Sequence, residues 1–190
     1  LRGELSGGLN GRTLGSGGRG RGGMRGAELA AALGMRRLGY DPALPPEEIR
    51  QRGAEPVDLS ALLQAADIVT LHAPLTPETR HLINRDTLSL MKPGAILVNT
   101  SRGGVIDDAA LAEALQSGRL AGAGIDVTEP EPPDPDNPLL PLEQVLITPH
   151  IAAHTEDSMR RMAVTAAEQV LMALEGNRPT MAINPEIWDA

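Results

Sequence analysis

The chain has 190 residues, with Lys+Arg 17 against Asp+Glu 25 and a formal net charge of −8. That balance excludes a surface given over to nucleic acid, because phosphate binding needs a positive field. The absence of cysteine excludes a disulfide framework and a Cys-based zinc site. With no signal-peptide pattern and no apolar run of ~20 residues, a soluble, cytoplasmic protein is expected. More than half of the 21 glycines lie in the first 26 residues, around "LGSGGRGRGGMRG" (14–26). This stretch reads either as an Arg/Gly-rich arm of the RNA-binding kind or as a degraded nucleotide-binding loop. "MRRLGYD" then gives a weak strand ending at Asp41. Asp58 opens a helix carrying Leu59, Leu62 and Leu63.

"ADIVTLHAP" (66–74) is rich in β-branched residues and closed by Pro74, the mark of a strand. "GAILVNTS" (94–101) is a near-continuous apolar run, as expected where a strand is buried on both faces. Asp107 or Asp108 caps a helix that Gly118 terminates. "GAGIDVT" (122–128) and "QVLITPH" (144–150) repeat the strand pattern around a Pro-rich loop, "EPEPPDPDNPLLP" (129–141). A last helix starts near Thr155, with an apolar stripe of Met159, Met162, Ala166, Val170 and Leu174 before Gly176. Strands alternating with helices predict an α/β fold, a doubly wound parallel sheet. Ligands bind such sheets at the carboxyl ends of the strands. Asp41, His72, Arg102, Asp126 and His150 all fall there.

Gly18-x-Gly20-x-x-Gly23 has the spacing of a dinucleotide fingerprint, with Asp41 following at a strand end. Gly15-x-Gly17-x-x-Gly20 fits the bare pattern as well. The choice is made by "LHAPLTPETRHLIN", "MKPGAILVNTSRGGVIDDAALAEALQSGRLAGAGIDV", "EPEP" and "VLITPHIAAHT". From about Gly11 to Trp188 the chain resembles the D-isomer-specific 2-hydroxyacid dehydrogenases, the group that includes 3-phosphoglycerate dehydrogenase. The resemblance implies a Rossmann NAD-binding domain over 14–176, a segment 1–13 leading from a missing half of the substrate domain, and a tail, 177–190, returning to that domain as its stub. It sets the fingerprint register at Gly18, Gly20 and Gly23. It also implies NAD as cofactor, a small 2-hydroxy or 2-oxo acid as substrate, and a homodimer formed through the NAD-binding domain, with no metal, nucleic acid or membrane partner.

Residue by residue, the resemblance makes Arg102 the clamp for the substrate carboxylate, a role suited to a planar bidentate fork. It makes His150 the acid/base and Glu131 the carboxylate that stabilises the imidazolium. Glu129 is a rival for the last role. Backbone N–H groups at Arg21 and Gly22 meet the pyrophosphate, Asp41 the adenosine ribose, Thr100, Ser101 and Arg102 the nicotinamide side, and Asp126 the carboxamide. Ala73 and Thr79 are further cofactor contacts, and His72 lines the same cleft. Two other readings stand beside this one: a non-catalytic NAD-binding relative of the corepressor kind, and an RNA-binding arm in residues 1–26.

Where the family has apolar residues, this chain has Ser16, Gly17, Arg19, Gly22, Gly26 and Arg37. Most of these replacements (Ile to Ser, Val to Gly, Leu to Arg) correspond to one T-to-G change at the second codon position. They remove buried methyl groups from a central strand, so the first strand–helix–strand unit is expected to seat poorly.

Overall fold

The computed structural model describes residues 8–18 and 20–188. Arg19, the first seven residues of the 1–13 segment and the last two of the tail lie outside the described residues. The described chain divides into two compact units, one ending at His150 and the other beginning at Ile151.

The first unit is a seven-stranded, all-parallel sheet. Its strands are β1 (Thr13–Gly17), β2 (Arg36–Tyr40), β3 (Glu55–Pro56), β4 (Ile68–Leu71), β5 (Ala95–Asn99), β6 (Leu120–Ile125) and β7 (Val145–Ile147). Their spatial order is β3-β2-β1-β4-β5-β6-β7. Helices α1 (Arg21–Ala32), α2 (Pro46–Gln51), α3 (Leu59–Ala65), α4 (Arg85–Leu90) and α5 (Asp108–Gln116) connect the strands.

The alternation of β1 shows that both faces are covered. A Cβ on Gly15 would meet Leu62 and Ala66, on and just beyond α3, at 2.5 and 2.9 Å. Its neighbour Ser16 faces the other way, with its Oγ 3.1 Å from where a Cβ on Gly23 of α1 would sit. Successive strand residues point to opposite faces, so α1 and α3 lie on opposite sides of a doubly wound sheet. The core on the α3–α4–α5 side is built from aliphatic residues: Leu62, Leu63, Leu88, Leu97, Leu111 and Leu115 are each 2 % exposed or less. These leucines fill the volume that aromatic side chains occupy in most domains.

The poorly seated first strand expected from the sequence is not what the structure holds. β1 pairs along its length with β2 and over four residues with β4. The glycines allow Leu62 and Leu71 to close onto the strand, and the buried Ser16 hydroxyl is satisfied by donating to the Gly18 carbonyl at 3.2 Å. Residues 13–17 are therefore a central strand and not part of a free RNA-binding arm. Arg37 is half-buried on β2, while Arg36 turns out to the surface and pairs with Glu55 at 2.7 Å.

Asp67 pins the start of β1. Its carboxylate accepts from the Thr13 N–H at 2.7 Å and from Lys92 Nζ at 3.0 Å. Burial pushes this carboxyl up, but the Thr13 hydrogen bond and the Lys92 charge outweigh it and hold it below the usual value. A carboxyl lowered in the fold stabilises above its unfolded pKa, and that contribution disappears as pH falls through the folded value. Asp67→Asn is thus expected to lose about 1 kcal/mol at pH 7 and nothing further at acid pH, where the wild type has lost the charge as well. Paired thermal melts at pH 7 and in strong acid check this; a gap of equal size at both would assign the loss to shape.

The second unit consists of α6 (Glu156–Leu174), capped by Thr155 as expected, and a 3₁₀ turn, Pro185–Trp188. The apolar stripe forms on α6, yet Met159, Met162, Val170 and Leu174 are all exposed, and the helix has no buried residue. Among the described residues no helix is long and apolar enough to cross a membrane.

Candidate active site

The sheet brings the singled-out residues to one edge. Asp41 follows β2, His72 follows β4, Arg102 comes three residues after β5, Asp126 follows β6, and His150 lies three residues beyond β7. All strands run parallel, so these five positions share the carboxyl end.

The glycines of the turn between β1 and α1 differ in what surrounds them. Gly18 has φ +85°, and a Cβ there would strike the His72–Ala73 backbone at 2.6 Å, so only glycine lets the turn cross the end of β4. A Cβ on Gly23 would fall 2.3 Å from the Gly18 carbonyl oxygen, so α1 packs directly on the turn. Gly20 faces open space within 4 Å. It is the N-cap of α1 and provides no side-chain cap, and the first turn has no acid. Helices α3, α4, α5 and α6 are each capped by a side chain: Asp58, Asn84, Asp107 and Thr155. The N-terminus of α1 therefore keeps N–H groups and a positive dipole end for an anion. These features fit a dinucleotide pyrophosphate.

The adjoining cleft, of about 680 Å³, is lined by Gly20, Gly22, His72, Ala73, Pro74, Leu75, Thr100, Ser101 and Arg102. Six of the expected cofactor positions meet there: Gly20, Gly22, Ala73, Thr100, Ser101 and Arg102. Asp41 is not among them. It lies in a separate cleft of about 440 Å³ with Tyr40, Leu44 and Pro56, and its Oδ1 accepts from the Ala43 N–H at 3.0 Å. Thr79 closes its own loop: its hydroxyl donates to the Pro74 carbonyl at 2.6 Å and accepts from the Thr76 N–H at 2.8 Å.

Arg102 is exposed, and its Nη1 donates to the Ser101 carbonyl at 2.6 Å. Its loop is held from beneath by Asn99, which is wholly buried. Asn99 Oδ1 accepts from the Ser101 N–H at 3.0 Å and hydroxyl at 2.8 Å, and its Nδ2 donates to the Arg102 carbonyl at 2.9 Å. Asn99 closes the apolar run "AILVN" and is not among the residues the sequence motifs single out. A polar residue closing an apolar strand was the available signal.

A third cleft, of about 490 Å³, is lined by Asp126, Thr128, Glu131, Ile147, Thr148 and His150, among others. His150 Nδ1 and Glu131 Oε2 share a hydrogen bond of 2.9 Å. Glu131 is oriented from its other oxygen, Oε1, which accepts from the Thr128 N–H at 3.2 Å. His150 has φ +55°, an uncommon left-handed conformation for a side-chain-bearing residue. Its N–H holds that shape by reaching the carbonyls of Asp126 at 2.9 Å and Thr148 at 3.0 Å. Asp126 is buried and accepts from the Thr148 hydroxyl at 2.5 Å. Neither Thr128 nor Thr148 was singled out from the sequence. Glu129, the rival to Glu131, is engaged elsewhere, in a two-point ion pair with Arg80 at 2.8 Å for each bond. Among the described residues no group of three His, Cys, Asp or Glu is arranged to hold a metal ion.

Chemically, the edge offers an uncapped helix end for phosphate, a guanidinium beside it, and an imidazole whose Nδ1 is tied to a carboxylate. Comparison with known proteins gives the family. Residues 2–152 match the family model described as D-isomer specific 2-hydroxyacid dehydrogenase, NAD binding domain. Over 177 residues, 93% of the chain, it is 46% identical to D-3-phosphoglycerate dehydrogenase of Methanocaldococcus jannaschii, of which this covers 34%. It is likewise 46% identical over 177 residues to glyoxylate reductase of Korarchaeum cryptofilum, covering 53% of that protein. The crystal structure of a D-isomer specific 2-hydroxyacid dehydrogenase from Lactobacillus delbrueckii ssp. bulgaricus, in its NAD complexed form, superposes with TM-score 0.86 at 34% identity, over 94% of this chain and 58% of that one. The chain thus spans between a third and somewhat over half the length of these relatives.

Proposed function

Because the chain belongs to the D-isomer specific 2-hydroxyacid dehydrogenase family and carries its NAD-binding domain, we propose that the whole protein is an oxidoreductase that transfers a hydride between a D-2-hydroxy acid and NAD. The observation that carries this reading is the His150–Glu131 pair at the same sheet edge as Arg102.

With Nδ1 bound to Glu131, Nε2 is the nitrogen that takes the substrate hydroxyl proton in oxidation and returns it in reduction. The imidazolium that forms is stabilised by the carboxylate. Arg102 swings from the Ser101 carbonyl to grip the substrate carboxylate with a planar fork, which fixes the reacting carbon. NAD, when bound, supplies the hydride acceptor, and its reduced form the donor. The N–H groups of Arg21 and Gly22 would hold its pyrophosphate, with Gly20 and Gly23 in the turn beneath it, as at other glycine-turn helix ends. Asp41 would take the ribose hydroxyls and repel a 2′-phosphate, favouring NAD over NADP. Thr100, Ser101, Ala73 and Thr79 would flank the rest, and Asp126 would meet the carboxamide, with Gly18 shaping the turn. The same proposal includes a tail, 177–190, that returns to a substrate domain, a homodimer formed through this domain, and a cytoplasmic location.

Reduction of a panel of 2-oxo acids, glyoxylate included, followed by loss of NADH absorbance, tests the proposal; no turnover across the panel defeats it. In the same assay Arg102→Lys should lower kcat/KM by about 10²-fold with melting unchanged, since Lys keeps the charge but loses the fork. Wild-type-like turnover would remove Arg102 from the clamp role.

A further inference from the structure

We infer that the Arg80–Glu129 ion pair is a positioning device that fixes the loops bearing Arg102 and Glu131 relative to each other. The inference rests on the proposed dehydrogenase reading for its kinetic consequences.

Three loops meet here, following β4, β5 and β6. The first two are already joined through the backbone: the His81 N–H donates to the Gly104 carbonyl at 2.8 Å, and Ile83 bridges to Ile106. The second and third meet at two glycines, one against backbone and one against the Glu129 carboxylate. A Cβ on Gly103 would lie 2.2 Å from the Thr128 carbonyl carbon, and one on Gly104 would lie 2.5 Å from Glu129 Oε2. Glu129 therefore rests on the loop just after Arg102. Arg80, from the first loop, grips that carboxylate at both oxygens. A two-point pair fixes orientation as well as distance. Thr128, on one side of Glu129, aims Glu131 through its N–H and holds the Pro130 carbonyl through its hydroxyl at 2.7 Å. The clamp thus acts on the segment that presents Glu131 to His150.

The pair has a second effect. The Arg80 hydrogen bonds and charge hold the Glu129 carboxyl below its usual range, so it stays ionised and matched. Without Arg80, an unmatched carboxylate would lie two residues from Glu131, repelling an acid substrate and competing for Arg102. Both partners are about half exposed, and ion pairs so placed add little to stability. Their removal should therefore disturb the site far more than the fold.

The test compares Arg80→Gln, Glu129→Gln and Arg80→Lys with the wild-type protein, with two readouts besides melting. In the 2-oxo acid assay, Arg80→Gln should lower kcat about tenfold and raise the acid's KM, leaving NADH affinity within about twofold because the helix-end contacts to the cofactor are untouched. Glu129→Gln should lower kcat with a smaller rise in KM, and Arg80→Lys should recover part of both. In ¹⁵N NMR of labelled histidines, with His150 identified by its absence from His150→Asn, wild type should show one neutral tautomer with the proton on Nδ1; Arg80→Gln should show a mixture. Wild-type kcat and an unmixed tautomer in both Gln variants would overturn the inference. Parallel loss of melting temperature in all three variants would overturn it too, by making the pair a structural brace. If wild type reduces no 2-oxo acid, the dehydrogenase reading fails by itself, and the tautomer comparison still decides for or against the clamp.

Discussion

His150→Asn is expected to cut turnover by about 10²–10⁴-fold, the range spanned by a lost general acid/base, while NADH affinity stays within a few-fold. Asn is the informative replacement. Residue 150 holds φ +55°, a conformation that Asn adopts far more readily than most residues, so the backbone bonds to Asp126 and Thr148 should survive. The change then isolates the imidazole. Steady-state kinetics and NADH fluorescence titration measure the two quantities. A large loss of NADH affinity would mean that His150 mainly shapes the cofactor cleft.

Five substitutions toward the apolar pattern of the family, Ser16→Ile, Gly17→Val, Arg19→Leu, Gly22→Ile and Gly26→Val, should together stabilise the protein and tighten NADH binding at least tenfold. β1 is fully paired, but it brings few methyl groups to the core. Two of its buried positions are glycine and one is serine. Replacing Ser16 and Gly17 contributes about 0.8 kcal/mol per buried CH₂, and removing helix glycines adds up to about 1 kcal/mol each. A Cβ on Gly17 would lie 3.3 Å from Leu71 Cδ2, a flexible tip that can yield, and Gly22 and Gly26 look onto His72 at 3.5 and 3.9 Å. A combined gain of about 4 kcal/mol corresponds to about 8–16 °C in Tm for a chain of this size. The cofactor gain follows from anchoring the strand that carries the glycine turn. Equal melting and equal NADH affinity in the two proteins would show the apolar losses to be harmless.

The strands legible in the sequence were those whose burial needs no partner information. "DIVTL" and "AILVN" carry their own β-branched, apolar signature. By contrast, β3 is Glu55–Pro56, a pair with no strand signature of its own that is a strand because β2 lies beside it. Helix α4 is not legible either, although Asn84 caps it with a reciprocal Thr87 contact; six residues are too few for a helical period to stand out. At the site, chain position identified the strand ends and the family motifs identified Arg102, Glu131 and His150. What occupies the rival Glu129 is not legible in the sequence, because Arg80 lies 49 residues from it and no periodicity links them. The exposure of the α6 stripe was equally invisible, since an amphipathic pattern records a face and not what meets it.

Isotope transfer addresses the proposed chemistry without reliance on any variant. The protein would be incubated with NADH deuterated at both C4 positions and a 2-oxo acid, and the product read by mass and by chiral separation. Direct hydride transfer in a D-specific site predicts a D-2-hydroxy acid with one deuterium at C2. A product without deuterium, or the L-isomer, would contradict it.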